Sequence, residues 1–143
     1  MKKPQVGIVM GSDSDLEVMK DAASILDELQ IPNEIVIFST HRAPEETAQY
    51  AKAAIGRGIK VIIAGAGGAA ALPGSIASLT ALPVVGIPIM TKSLEGLDSL
   101  LSIVQMPPGV PVATIGINSA KNAGLLAAEI IATGDSKIYG RLL

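Results

Sequence analysis

Three short stretches of the 143-residue chain hold residue types that could do chemistry. The first is Gly11-Ser12-Asp13-Ser14-Asp15, which follows a short apolar run and precedes a helical periodicity. It therefore joins a strand to a helix N-terminus, where free backbone N–H groups and the positive end of the helix dipole favour a phosphate. The Ser hydroxyls can donate to phosphate oxygens. The Asp15 carboxylate repels phosphate but accepts hydrogen bonds from sugar hydroxyls, so the pair suits a ribose phosphate better than phosphate alone. The same spacing also describes a capped helix with acids in its first turn. The second stretch is His41-Arg42. An imidazole, with a free pKa of about 6.5, suits proton transfer near neutrality, and a guanidinium grips a phosphate or carboxylate with two parallel hydrogen bonds. On an ordinary surface loop both side chains would simply be solvated. The third is Gly65-Ala66-Gly67-Gly68-Ala69-Ala70-Ala71-Leu72-Pro73-Gly74, which contains G-x-G-x-x-A, a variant dinucleotide fingerprint. It follows the third strand rather than the first, and the next acid, Glu95, is too far on to hold a ribose hydroxyl. What remains is a loop almost free of side chains, suited to close backbone approach to a flat ligand or to tight packing between helices or subunits.

These stretches need a scaffold, and the hydrophobic pattern supplies one. Val6, Ile8, Val9 and Met10 form a short buried strand. Ser14 and Glu17 have capping-box spacing, and Leu16, Met19, Ala22, Ala23, Leu26 and Leu29 follow at helical spacing. Glu34–Ser39 reads as a second strand and Ser39–Ala43 as a loop, while Pro44-Glu45-Glu46 opens a second helix. Val61–Ala64, Val84–Ile87 and Val112–Ile117 are further strands, and Ser75–Leu79, Leu94–Val104 and Ala120–Ala132 further helices. Strand and helix alternate about five times, which predicts an α/β fold: a parallel sheet with helices on both faces, in one domain over residues 1–143. Ligands of such sheets sit at the carboxyl ends of the strands, near a topological switch point. The three stretches, and Met90–Lys92 after the fourth strand, all fall there.

Composition narrows the chemistry. The chain has no Cys and one His, which excludes disulfides, thiolate catalysis, Cys-based metal sites and a multi-histidine metal centre. The net charge of −2 offers no footprint for nucleic acid. There is no G-x-x-x-x-G-K-[ST] for an NTPase and no G-x-S-x-G nucleophile elbow. The longest run without polar residues, Val61–Gly74, is 14 residues with four Gly and one Pro. That is too short for a membrane helix, which needs about 20 residues. With no visible secretion signal, the expected location is the cytoplasm. Only 17% of residues are charged, and 20 are Ala and 15 Gly. A small domain this poor in charge is expected to bury surface against further copies of itself.

The polar, histidine and glycine stretches resemble a known family when joined to a fourth, Asp98-Ser99-Leu100-Leu101-Ser102-Ile103-Val104-Gln105-Met106-Pro107. Gly11-Ser12-x-Ser14-Asp15, Ser39-x-His41-Arg42-x-Pro44, Gly65–Gly74 and this segment look like class I 5-(carboxyamino)imidazole ribonucleotide mutases of purine biosynthesis, the family of the phosphoribosylaminoimidazole carboxylase catalytic subunit. The resemblance runs from about Val6 to Ala132. It implies a three-layer α/β/α sandwich with a flavodoxin- or Rossmann-like sheet, usually an octamer, and no metal or organic cofactor. It implies an isomerase that moves a carboxylate from the exocyclic nitrogen of an aminoimidazole ribonucleotide to the adjacent ring carbon, by way of trapped carbon dioxide. On this resemblance His41 is the catalytic acid and base. Ser12, Asp15, Ser39, Arg42, Gly67, Gly68, Ala70, Ala71 and Leu72 are the substrate-binding positions. Two other activities stay open: a carboxylase acting on free carbon dioxide, which generally shows Lys after its catalytic His where this chain has Arg42, and a silent ribonucleotide-binding paralogue. The chain departs from the family where Ala71 replaces a usual His, where Ser75 replaces a usual Met, and at Leu143, beyond which most members continue into a charged helix.

Overall fold

The computed structural model describes residues 3–38 and 43–143. Strands β1 (Val6–Met10), β2 (Asn33–Ile37), β3 (Val61–Gly67), β4 (Val84–Ile89) and β5 (Ala113–Thr114) form one parallel sheet in the order β2-β1-β3-β4-β5. The helices are α1 (Leu16–Glu28), α2 (Pro44–Ala53), α3 (Leu72–Ala77), α4 (Leu97–Val104), α5 (Ala120–Ala132) and α6 (Ser136–Leu142).

Residues alternate across each strand, so the apolar runs feed two cores. Val6, Ile8, Met10, Val61, Ile63, Val85 and Ile87 pack against α1, α5 and α6. Val9, Ile62, Ala64 and Val84 pack against Tyr50, Ala51 and Ala54 from the α2 side and Leu72 and Ile76 of α3. The expected three layers are present. Gly124, inside α5, is where the first helical layer is tightest: a Cβ there would strike the Ile25 side chain and meet the Ala22 carbonyl oxygen at 2.9 Å. A glycine inside a helix costs about 1 kcal/mol relative to alanine, and here it permits the close α1–α5 crossing.

Several boundaries move from their sequence expectations. The entrance to α1 does not use Ser14 as a cap: Ser12 caps a 3₁₀ turn ahead of the helix, and Asp15, at the α1 N-cap, makes no side-chain capping bond. Ser12 has extended backbone, and its hydroxyl accepts from the Ser14 N–H at 3.3 Å across a short 3₁₀ turn, Asp13–Asp15. Glu17 instead pairs with Lys20 at 2.9 Å on the exposed face. The third strand continues through Gly65, Ala66 and Gly67, which pair with Ile87, Pro88 and Ile89 of β4. The fifth strand is shorter than Val112–Ile117 because of its neighbour. Ile115 still donates to the Gly86 carbonyl at 3.1 Å, but Pro88 has no N–H for the next rung. The chain rejoins β4 only at Asn118, which donates to the Pro88 carbonyl at 2.8 Å from a left-handed backbone, φ 60°. Helix α6 was not expected; the Asp135 carboxylate caps it, accepting from the Lys137 and Ile138 N–H groups at 3.0 and 3.2 Å.

Candidate active site

The sheet order reverses between β1 and β3, so the loops leaving these strands diverge to opposite faces and leave a crevice between them. Met10 pairs in register with Gly65, which brings the Gly11–Asp15 loop alongside the Ala66–Leu72 segment. Between them lies a cavity of about 280 Å³ lined by Gly11, Ser12, Asp15, Ala66, Gly67, Ala69, Ala70, Ala71, Leu72 and Thr91. Larger concavities lie elsewhere. One of about 470 Å³ opens at the amino ends of the strands, among Lys3, Gln5, Lys60, Asp135, Lys137 and Arg141. It has neither of the loops that leave the strands, and its Arg141 is spent on the Leu29 carbonyl at 3.0 Å.

The two walls differ in chemistry. On the polar wall the Ser12 and Ser14 hydroxyls are 3.0 Å apart. Burial pushes the Asp15 carboxyl above its ordinary value, while the backbone of Ser12 and Gly11 holds it partly down. The other wall is backbone and methyl groups. Ala70 and Leu72 are buried, whereas Ala71, at the start of α3, is exposed on the cavity side. That position thus has room for a larger side chain. Pro73 in the first turn lets α3 begin at Leu72 rather than Ser75, turning the second half of the glycine-rich stretch into a helix entrance. A Cβ on Gly67 would meet the Thr91 methyl at 2.8 Å and the Ile89 carbonyl at 3.2 Å, so this wall is glycine because β4 lies directly behind it.

The structure brings Ser12, Asp15, Gly67, Ala70, Ala71 and Leu72 around one cavity. Gly68 is not among the lining residues; it turns away, with φ 65°, and its N–H donates to the Ser99 hydroxyl at 2.9 Å. Ser39, His41 and Arg42 lie outside the described residues. Phe38, whose N–H donates to the Met10 carbonyl at 2.8 Å, is the last residue described before them. Two residues that site reasoning from sequence passed over are Thr91, on the cavity wall, and Ser99, behind it. Thr91 lay in a marked post-strand segment and Ser99 in the fourth family stretch, but neither had a local pattern pointing to a role.

A doubly wound sheet carrying a polar helix entrance and a glycine–alanine wall at its switch point defines an α/β protein of flavodoxin-like topology with a small-ligand crevice. Sequence comparison is more specific. The profile of the AIR carboxylase family matches residues 5–143, and the chain belongs to that family. It is 68% identical over 130 residues to the N5-carboxyaminoimidazole ribonucleotide mutase of Pyrococcus horikoshii, covering 91% of this chain and 73% of that protein. It is 66% identical over 128 residues to the mutase of the same name from Thermotoga maritima, covering 90% and 75%. The crystal structure of Treponema denticola PurE superposes with a TM-score of 0.87 at 32% identity, over 97% of this chain and 87% of that one.

Proposed function

We infer that this chain carries N5-carboxyaminoimidazole ribonucleotide mutase activity, an isomerisation in purine biosynthesis. The observation that carries this reading is the switch-point cavity, with a Ser–Asp entrance facing a glycine–alanine wall, in a chain of the AIR carboxylase family. The N-carboxylate leaves as carbon dioxide when its C–N bond breaks, and the amine nitrogen takes a proton. The adjacent ring carbon then attacks the carbon dioxide, and the resulting cation loses its ring proton. No electron acceptor is needed. Ser12 and Arg42 take the ribose phosphate and Asp15 the sugar hydroxyls, each by charge or hydrogen-bond complementarity. The Gly67–Leu72 wall lies against the imidazole, where the lack of side chains lets backbone come close. His41 returns one proton to nitrogen and accepts the other from carbon. Arg42 rather than Lys after that histidine favours the mutase over a carboxylase fed by free carbon dioxide.

The same reading makes the protein a single domain, cytoplasmic, and a homo-oligomer, an octamer by resemblance to its family. Among the described residues no helix is long and apolar enough to cross a membrane. Self-association is supported by two exposed apolar patches at opposite edges of the sheet. Leu97, Leu101 and Val104 form one face of α4, and Ile35 and Ile37 share one face of the edge strand β2.

The test is direct. The wild-type protein interconverts the N- and C-carboxylated ribonucleotides without ATP or bicarbonate, and His41→Asn abolishes turnover while leaving product affinity within about tenfold, because proton transfer and not grip is lost. Turnover only from aminoimidazole ribonucleotide plus bicarbonate would assign the carboxylase activity instead, and a near-wild-type rate in His41→Asn would remove the imidazole from the mechanism.

A further inference from the structure

Behind the glycine–alanine wall, the Ser99 side chain is fully buried and spans two backbone groups. Its hydroxyl donates to the carbonyl of Ile89, the last residue of β4, at 2.7 Å, and accepts from the Gly68 N–H at 2.9 Å. Gly68 in turn accepts from the Ala70 N–H at 2.9 Å, and Ala70 lines the cavity. One turn along α4, the Ser102 hydroxyl donates to the Asp98 carbonyl at 2.8 Å and reaches the Gly68 carbonyl at 3.4 Å. Gly68 sits at φ 65°, and a Cβ built there would meet no atom within 4 Å, so packing on that side does nothing to hold it. A series of hydrogen bonds therefore runs from the end of β4 through Ser99 and Gly68 to the cavity wall.

We propose that Ser99 is a positioning residue for the reaction, mooring Gly68, and through it the Gly67–Leu72 wall, to the end of β4. The proposal rests on the mutase reading. A hydroxyl is the smallest side-chain group that donates and accepts at once, and the site needs both within a fully buried volume. Removing it strands a half-buried N–H and a buried carbonyl, and the wall relaxes to satisfy them elsewhere. The wall matters most between the two halves of the reaction, when the C–N bond is broken and the C–C bond is not yet made. A displaced wall lets carbon dioxide leave at that point, and the reaction stops at the decarboxylated amine.

The experiment starts from the C-carboxylated ribonucleotide and follows kcat, KM and the free decarboxylated aminoimidazole ribonucleotide released per turnover. Ser99→Ala lowers kcat about 10- to 100-fold with KM within about threefold, and raises the decarboxylated fraction at least about fivefold. Ser99→Cys, matched in shape but a poor donor and acceptor, shifts the same fraction in the same direction and decides the matter if the alanine variant does not fold. Folded variants with a wild-type decarboxylated fraction would overturn the proposal, even where kcat falls, since that loss would be purely structural. Failure of the mutase reading shows separately, as a wild-type protein without interconversion. In that event amide exchange at Gly68 decides, because protection that survives in Ser99→Ala refutes the mooring itself.

Discussion

The Asp15 carboxyl stands half-buried at the entrance of α1, where loss of water raises its pKa and backbone groups only partly compensate. Ionising such a group works against folding. The neutral form's contribution is complete below the ordinary carboxylate value of 3.8 and is lost as pH rises through the raised value in the folded protein. Asp15→Asn keeps the shape and removes that cost. Its Tm exceeds wild type at pH 7, and the two converge near pH 3, as thermal melts across pH would record. If the carboxylate holds sugar hydroxyls, the same variant binds the ribonucleotide about 10- to 100-fold more weakly, the range for a hydrogen bond to a charged group, measurable by calorimetry with the product. A variant both destabilised and unchanged in affinity would contradict both roles. Residue identity alone had marked Ser12 and Asp15, because their chemistry is written in their own side chains. It had not marked Ser99, whose work lies in partners 10 and 31 positions away that no local pattern connects.

At the scale of elements, periodicity and punctuation carried most of the information. β1, α1, α2 and α5 lie close to where their apolar spacing and breakers put them, because each is specified by its own residues. The misplaced boundaries were decided elsewhere in the chain. β5 ends early because Pro88 on a different strand lacks a donor, and β3 runs long because β4 offers Gly65–Gly67 partners. The edge strand β2 is also tied down by side chains. Glu34 accepts from both terminal nitrogens of Arg57, at 2.8 and 2.6 Å, and from the Tyr50 hydroxyl at 2.8 Å, with Arg57 5.7 Å from the Tyr50 ring centre. The Arg57 guanidinium holds the Glu34 carboxyl below its ordinary value. Its contribution is therefore present above that value, 4.5, and lost as pH falls through the lowered one. Because both partners are partly exposed, Glu34→Gln costs about 1 kcal/mol at pH 7. The difference in unfolding free energy from wild type, read by denaturant titration, closes as the solution is acidified; a pH-independent difference would show that charge is not what holds the strand.

For the whole molecule, part of the exposed apolar surface falls on two separate elements, α4 and the edge strand β2. The α4 row lies over the β4–β5 side and Ile35 and Ile37 lie on β2 at the other edge, so a copy can present different patches to two neighbours. Contacts of that kind close into rings when the rotation permits. If the proposed homo-oligomer is built through α4, Leu101→Glu, which places a charge in the middle of its row at a position 47% exposed, keeps the fold and loses the assembly. Sedimentation velocity is expected to show a smaller species with unchanged circular dichroism; a variant of wild-type size would take α4 out of the interface. The curtailed fifth strand acts on this same surface. With only two paired residues at that border, and a proline in the strand beneath, a stray chain finds almost no backbone template to add itself to. Sticky helical faces can therefore meet one another at high concentration while strand addition at the β5 border is disfavoured.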